Sequence, residues 1–179
     1  MKKSLKITLS AVFMAMGMFL PFLTGQIPEI GNMLLPMHLG VLLCGLICGP
    51  FYGLAVGFIT PLLRSVSFGM PPIFPNAAAM AFELATYGFV IGLIYSRFKG
   101  NKIALYVSLI ISMIAGRIVW GAVSVVFYGF AQKTFTWAIF FGGAFAKAVP
   151  GIILQIVLVP VLVMLFERYF ESKQSLEKT

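Results

Sequence analysis

Four ionisable side chains stand inside long apolar runs: Arg64, Glu83, Arg117 and Lys147. In hydrocarbon each would cost about 2.5–3.5 kcal/mol on insertion scales, so each calls for a partner, a watery cavity or a function. Three cations against one carboxylate leave a surplus of two positive charges, which suits a small anion held through its carboxylate or phosphate by charge-assisted hydrogen bonds. His38, Asn76 and Gln155 add neutral groups that can orient a ligand, although a lone histidine among apolar residues serves as readily as a hydrogen-bonded packing group. The competing reading is an ion-pair scaffold of Glu83 with Arg117, plus snorkelling by Arg64 and Lys147. That reading leaves the clustering of the four unexplained.

The elements that must carry these residues follow from composition. Of 179 residues, 60% are apolar and 10% charged, with a mean hydropathy of +1.02, so lipid is the solvent for most of the surface. Long unalternated apolar runs satisfy their backbone amides as helices, and the alternation of a membrane barrel is missing. The predicted fold is an all-α membrane bundle in one domain, 1–179. Its six spans run near Leu5 to Leu23, Leu34 to Cys48, Phe51 to Arg64, Ala77 to Tyr95, Ile103 to Tyr128 and Ala146 to Phe166. The first run follows Lys2, Lys3 and Lys6 but is too long for a signal core. The second and third are short for a bilayer that needs roughly 20 residues, which leaves tilting, local thinning of the bilayer or partial burial against neighbours as ways to accommodate them.

Orientation follows from charge. Lys2, Lys3 and Lys6, then Arg97, Lys99 and Lys102, then Arg168, Lys173 and Lys178 all fall on one side of a six-span chain, whereas the opposite connections carry only Glu29 and Lys133. The positive-inside rule therefore makes both termini cytoplasmic, and the net charge of +8 reads as orientation and not as a nucleic-acid surface. On this topology Arg64 closes an outward-running span, Glu83 and Lys147 lie near outer helix ends, and Arg117 lies roughly 21 Å along its helix, just beyond the midplane. The inner half holds no comparable charge, a distribution that fits a pocket open outward and closed beneath. Three external connections, Thr24 to Met33, Ser65 to Asn76 and Gly129 to Phe145 with Trp137, could cover such a pocket or serve as turns and interfacial anchors.

Small residues recur at helical spacing: Ala11 and Ala15; Gly45, Gly49, Gly53 and Gly57; Ala81, Ala85, Gly88 and Gly92. They predict close helix approach, with Cys44 and Cys48 part of the same seam. Ala11 and Ala15 stand on an otherwise large-residue helix and could equally seat another protein. A Gly-x-x-x-x-Gly-Lys-Ser/Thr loop is absent, as are a His-Glu-x-x-His site, a Gly-x-Ser-x-Gly elbow and duplicated inverted halves. A pocket without an energy source implies a partner that supplies one.

Length, six spans, internal termini, Ala11-x-x-x-Ala15, Leu35-Pro-Met-His-Leu39, Cys48-Gly-Pro50 and Lys147-Ala-Val-Pro-Gly151 together resemble the substrate-binding S components of energy-coupling factor (ECF) transporters, most of all the pantothenate-type or related vitamin-precursor members. The resemblance implies a non-enzymatic, multi-pass protein of a prokaryotic cell membrane that captures a vitamin from outside and topples to release it inward. It implies docking through Ala11 and Ala15 on a transmembrane coupling (T) protein with two ATPases, so that ATP is used by the partners and the chain itself needs no cofactor or metal. Its pocket would be drawn from Asn76, Glu83, Arg117, Lys147 and Gln155, with Arg64 and His38 added by the charge and polarity reading above. The reading from another class is a stand-alone secondary carrier for a small organic anion, which would need coupling ions and a charged path through the inner half.

Overall fold

The computed structural model describes residues 1–24, 27, 33–130, 136, 142 and 148–176, with backbone alone from 170 onward. Among them are six main helices: α1 (Lys3–Phe19), α2 (Pro36–Cys48), α3 (Pro50–Phe68), α4 (Ala78–Arg97), α5 (Lys102–Phe130) and α6 (Val149–Leu176). A 3-10 turn over Leu20–Thr24 extends α1, and a π turn over Ile73–Ala77 leads into α4. The bundle is all-α, and five segments are long and apolar enough to cross a membrane: Lys3–Leu23, Pro50–Phe68, Ile73–Arg97, Lys102–Phe130 and Val149–Tyr169.

Local chemistry sets the boundaries. Pro36 and Pro50 open α2 and α3, where a missing N–H leaves no bond unmade, and Gly49 between them takes φ +106°, a value that suits glycine alone. Asn101 caps α5, its Oδ1 accepting the Ile103 N–H at 2.8 Å. The sequence reading ends the third span at Arg64, but α3 runs on to Phe68 and stops at Gly69 with φ +71°. Pro61 within it does not end the helix, so α3 reaches 19 residues and spans unaided. The predicted external loop from Ser65 to Asn76 is correspondingly smaller: only Gly69 to Pro72 separate α3 from the π turn, and Ser65 Oγ donates to Pro71 O at 2.6 Å.

The shortness of α2 has a different answer. Eleven of its 13 residues are buried, so protein and not lipid surrounds it, and its length need not match the bilayer. Val41, Leu42 and Cys44 are fully inaccessible, packed with Leu84, Ile91, Leu105, Leu109, Val159 and Val163 into one core. Glycines let the backbones close around α2: a Cβ on Gly45 or on Gly53 would lie 2.5 Å from Gly88 O, so α2, α3 and α4 meet without intervening side chains. Since no flexible group can yield there, Gly53→Val is expected to destabilise the bundle by about 3 kcal/mol, the upper end for overpacking. Thermal unfolding in detergent, read against Gly129→Val, where an added Cβ meets nothing within 4 Å, checks this.

Contacts also define which helix ends share a side. Lys6 lies 5.8 Å from the Tyr52 ring, a Cβ on Gly92 would lie 2.6 Å from Pro50 N, and Tyr95 bonds Glu167. The starts of α1, α3 and α5 therefore gather with the ends of α4 and α6, which is the end carrying the basic residues. His38, Asn76 and Gln155 belong to the other end.

Candidate functional site

Gly116 is the residue that lets the central charges meet. A Cβ there would stand 3.0 Å from the Tyr87 ring and 3.1 Å from Glu83 O, so α5 lies hard against α4 at this level. Next to it, midway along α5, Arg117 brings Nη1 to 2.9 Å from Glu83 Oε1. His38, in the first turn of α2, places Nε2 at 3.7 Å from the same oxygen, beyond hydrogen-bond reach, and its ring meets Tyr87 edge-on with centroids 5.3 Å apart. All three charged or chargeable groups are buried, His38 at 3%, Glu83 at 1% and Arg117 at 6% exposure.

Among the described residues the polar groups of this cluster are not all satisfied. His38 Nδ1 and Nε2 and Arg117 Nε and Nη2 lack hydrogen-bond partners among the described residues, as does Ser124 Oγ two turns farther along α5. Glu83 Oε1 also lacks an aligned donor, so its contact with Arg117 is one of charge more than of directed hydrogen bonding. Buried groups of this kind are ordinarily satisfied, and each one left alone costs about 1–3 kcal/mol. Arg117 is oriented so that one Nη faces Glu83 while Nε and the other Nη leave an entire edge of the guanidinium without a hydrogen-bond partner among the described residues. Such an edge matches the two oxygens of a carboxylate or phosphate.

The remaining predicted residues separate from this cluster. Arg64 turns to α1: its Nη1 donates to Met18 O, and its guanidinium lies 5.2 Å from the Phe22 centroid and 5.4 Å from that of Phe68. A cation at the carbonyl end of a helix, stacked on rings, ties α1 to α3, which makes Arg64 a structural group in this arrangement. Gln155 Nε2 donates to Leu35 O at 3.2 Å, the same carbonyl that accepts the His38 N–H at 3.1 Å. Leu35 has φ +50°, so Gln155 anchors the turn that launches α2 and thereby sets the position of His38. Gln155→Leu is expected to lower stability by about 1 kcal/mol and to weaken capture of ligand only a few-fold, measured by unfolding and equilibrium binding side by side. Asn76 Oδ1 accepts from the Tyr128 hydroxyl at 3.1 Å, linking the π turn to the far end of α5. Lys147, Glu29, Lys133 and Trp137 lie outside the described residues, as does most of the first and third external connections.

Tyr87, Ser124 and Tyr128 are the site residues that the sequence reading omits. Spacing offered a signal for two of them: Tyr87 is one helical turn from Glu83, and Ser124 is seven residues from Arg117 and therefore on the same face. Tyr128 carried none.

Ala11 and Ala15 are exposed, whereas Ser10, Phe13 and Gly17 form the buried stripe of α1. Between α1 and α3 runs an open groove of about 380 Å³ lined by Ala11, Met14, Ala15, Met18, Tyr52 and Ala55 among others. Cys44 and Cys48 are buried and free, Cys44 Sγ–H donating to Ser10 Oγ at 3.5 Å, so both belong to the helix seam. Among the described residues no group of three His, Cys, Asp or Glu side chains comes together to hold a metal ion.

A bundle of apolar helices enclosing a buried, incompletely satisfied polar cluster defines a multi-pass membrane protein with an internal polar site. Over residues 5–163 the chain matches the family described as ECF transporter, substrate-specific component. It belongs to that family, one of transporter components and not of enzymes. No match was found among curated proteins or among solved structures.

Proposed function

We propose that this chain captures a small anionic vitamin or vitamin precursor, such as pantothenate, from outside the cell and hands it to an ATP-driven import module. The observation that carries the reading is the buried edge of Arg117, whose Nε and Nη2 lack hydrogen-bond partners among the described residues, as do both ring nitrogens of His38. The ligand's carboxylate would pair with that edge while Glu83 holds the opposite side of the guanidinium, and Ser124 would serve a polar group nearer the outside. The surplus of two cations expected from sequence does not enter this argument, because Arg64 is engaged by Met18 and two rings. Anion recognition rests on Arg117 itself, with Glu83 fixing the orientation of its fork.

The exposed Ala11 and Ala15 on the α1–α3 groove support docking on a coupling protein, since small residues permit close approach of a partner helix. In this reading ATP is hydrolysed by two partner subunits in a prokaryotic cell membrane, and the chain uses no cofactor of its own. A stand-alone carrier draws little support: among the described residues the buried charged side chains are Arg64, Glu83 and Arg117, which leaves no relay toward the basic end. The test is uptake of labelled pantothenate by proteoliposomes holding the chain alone, or the chain with a coupling protein and two ATPases. ATP-dependent accumulation is expected only in the second preparation, and accumulation by the chain alone would overturn the reading.

A further inference from the structure

At the end of the bundle remote from His38, a second recess of about 420 Å³ opens between the start of α5 and the Val161 to Arg168 stretch of α6. Tyr95 forms part of its floor. The hydroxyl donates toward Glu167, with Oε1 at 3.0 Å and Oε2 at 3.2 Å, and accepts the Gly100 N–H at 3.3 Å. Glu167 is thus held by the protein, whereas the two cations of the lining, Lys102 and Arg168, are exposed. Val161 and Leu165 continue the wall along α6 and are 44% and 57% exposed.

Depth makes this combination informative. Lys102 is the first residue of α5, and Arg168 lies 19 residues, or roughly 29 Å of helical rise, beyond the start of α6, so both sit at the level of one membrane face. The charge pattern makes that face cytoplasmic. From it the apolar wall runs inward by one to two helical turns. Cations at headgroup height joined to an apolar strip at acyl height are complementary to a phospholipid, and an isolated phosphate would meet only the first half.

We propose that this recess binds an anionic phospholipid of the inner leaflet, Lys102 and Arg168 holding its phosphate and one acyl chain lying along Val161 and Leu165. The site is separate from the Arg117 cluster and from the α1–α3 groove, and it stands whether or not the ligand reading above is right. Native mass spectrometry of the full chain, loaded with phosphatidylglycerol or phosphatidylethanolamine of matched chains, tests it. Retention of phosphatidylglycerol over phosphatidylethanolamine is expected, falling about fivefold for each cation removed in Lys102→Ala and Arg168→Ala. A lesser fall is expected in Leu165→Gln, at an exposed position. Equal retention of the two lipids, or unchanged retention in the double cation variant, would overturn the proposal. Displacement by millimolar inorganic phosphate together with indifference to Leu165→Gln would instead assign a free-phosphate site and overturn the lipid one.

Discussion

Arg117→Ala is expected to weaken ligand capture by at least about 30-fold, the lower end of the 2–5 kcal/mol lost when a buried charged hydrogen-bonding partner is removed. The geometry behind this is specific: the guanidinium is 6% exposed, meets Glu83 at 2.9 Å through one nitrogen and has two more without partners among the described residues. Removing it also leaves Glu83 buried beside an uncharged neighbour, which by itself destabilises by about 3–5 kcal/mol. A fold effect and a binding effect therefore need separating. Glu83→Gln combined with Arg117→Met removes both charges while keeping the approximate volumes, an exchange that is often neutral for stability. The double variant should elute and melt much as the parent does and still fail to capture. Parent-like capture by that variant would make the pair a scaffold and leave the proposed function without its site.

Ala11→Trp, or Ala15→Trp, should do the reverse. Both positions are exposed, so the isolated chain should change stability by no more than about 0.5 kcal/mol and retain its ligand affinity. An indole standing in the α1–α3 groove would hold off any helix that packs there, and uptake in the presence of the coupling protein and ATPases should fall to background. Assayed together, the two measurements separate the variants: the Arg117 variant loses both equilibrium binding and ATP-dependent uptake, and the Ala11 variant loses uptake alone. Undiminished uptake by the tryptophan variants would remove α1 as the docking face.

Span positions were legible from sequence because hydropathy, proline and glycine act locally. Pro36, Gly49-Pro50 and Asn101 each mark a boundary through chemistry that needs no distant partner. That α2 is short for a bilayer was legible too, but burial, which the structure shows, was only one of the ways the sequence left open to accommodate it. The end of α3 was not legible: Arg64 resembles an interfacial terminus until Phe22, from a different helix turn, is brought beneath its guanidinium. The sequence offered Glu83 with Arg117 as one reading of the inward charges, and the structure brings these two together at 2.9 Å. Their meeting depends on how α3 and α5 rotate about their axes, which close approach at Gly57 and Gly116 decides through contacts with α4. Gln155 was legible as a polar group facing inward, yet its use in holding Leu35 O required knowing that the start of α2 and the start of α6 adjoin. The inward polar residues could be found; their pairing is a product of packing.

The proposed capture of a small anionic ligand by the Glu83–Arg117 cluster can be tested directly. Wild type and the Glu83→Gln, Arg117→Met double variant, purified in mild detergent after incubation with an equimolar mixture of water-soluble vitamins and their precursors, can be denatured and the released molecules identified by mass spectrometry. One carboxylate- or phosphate-bearing compound in near-stoichiometric amount from wild type, and none from the double variant, is the predicted result. Release of the same compound in equal amount from both, of a compound without an anionic group, or of nothing from wild type would contradict it.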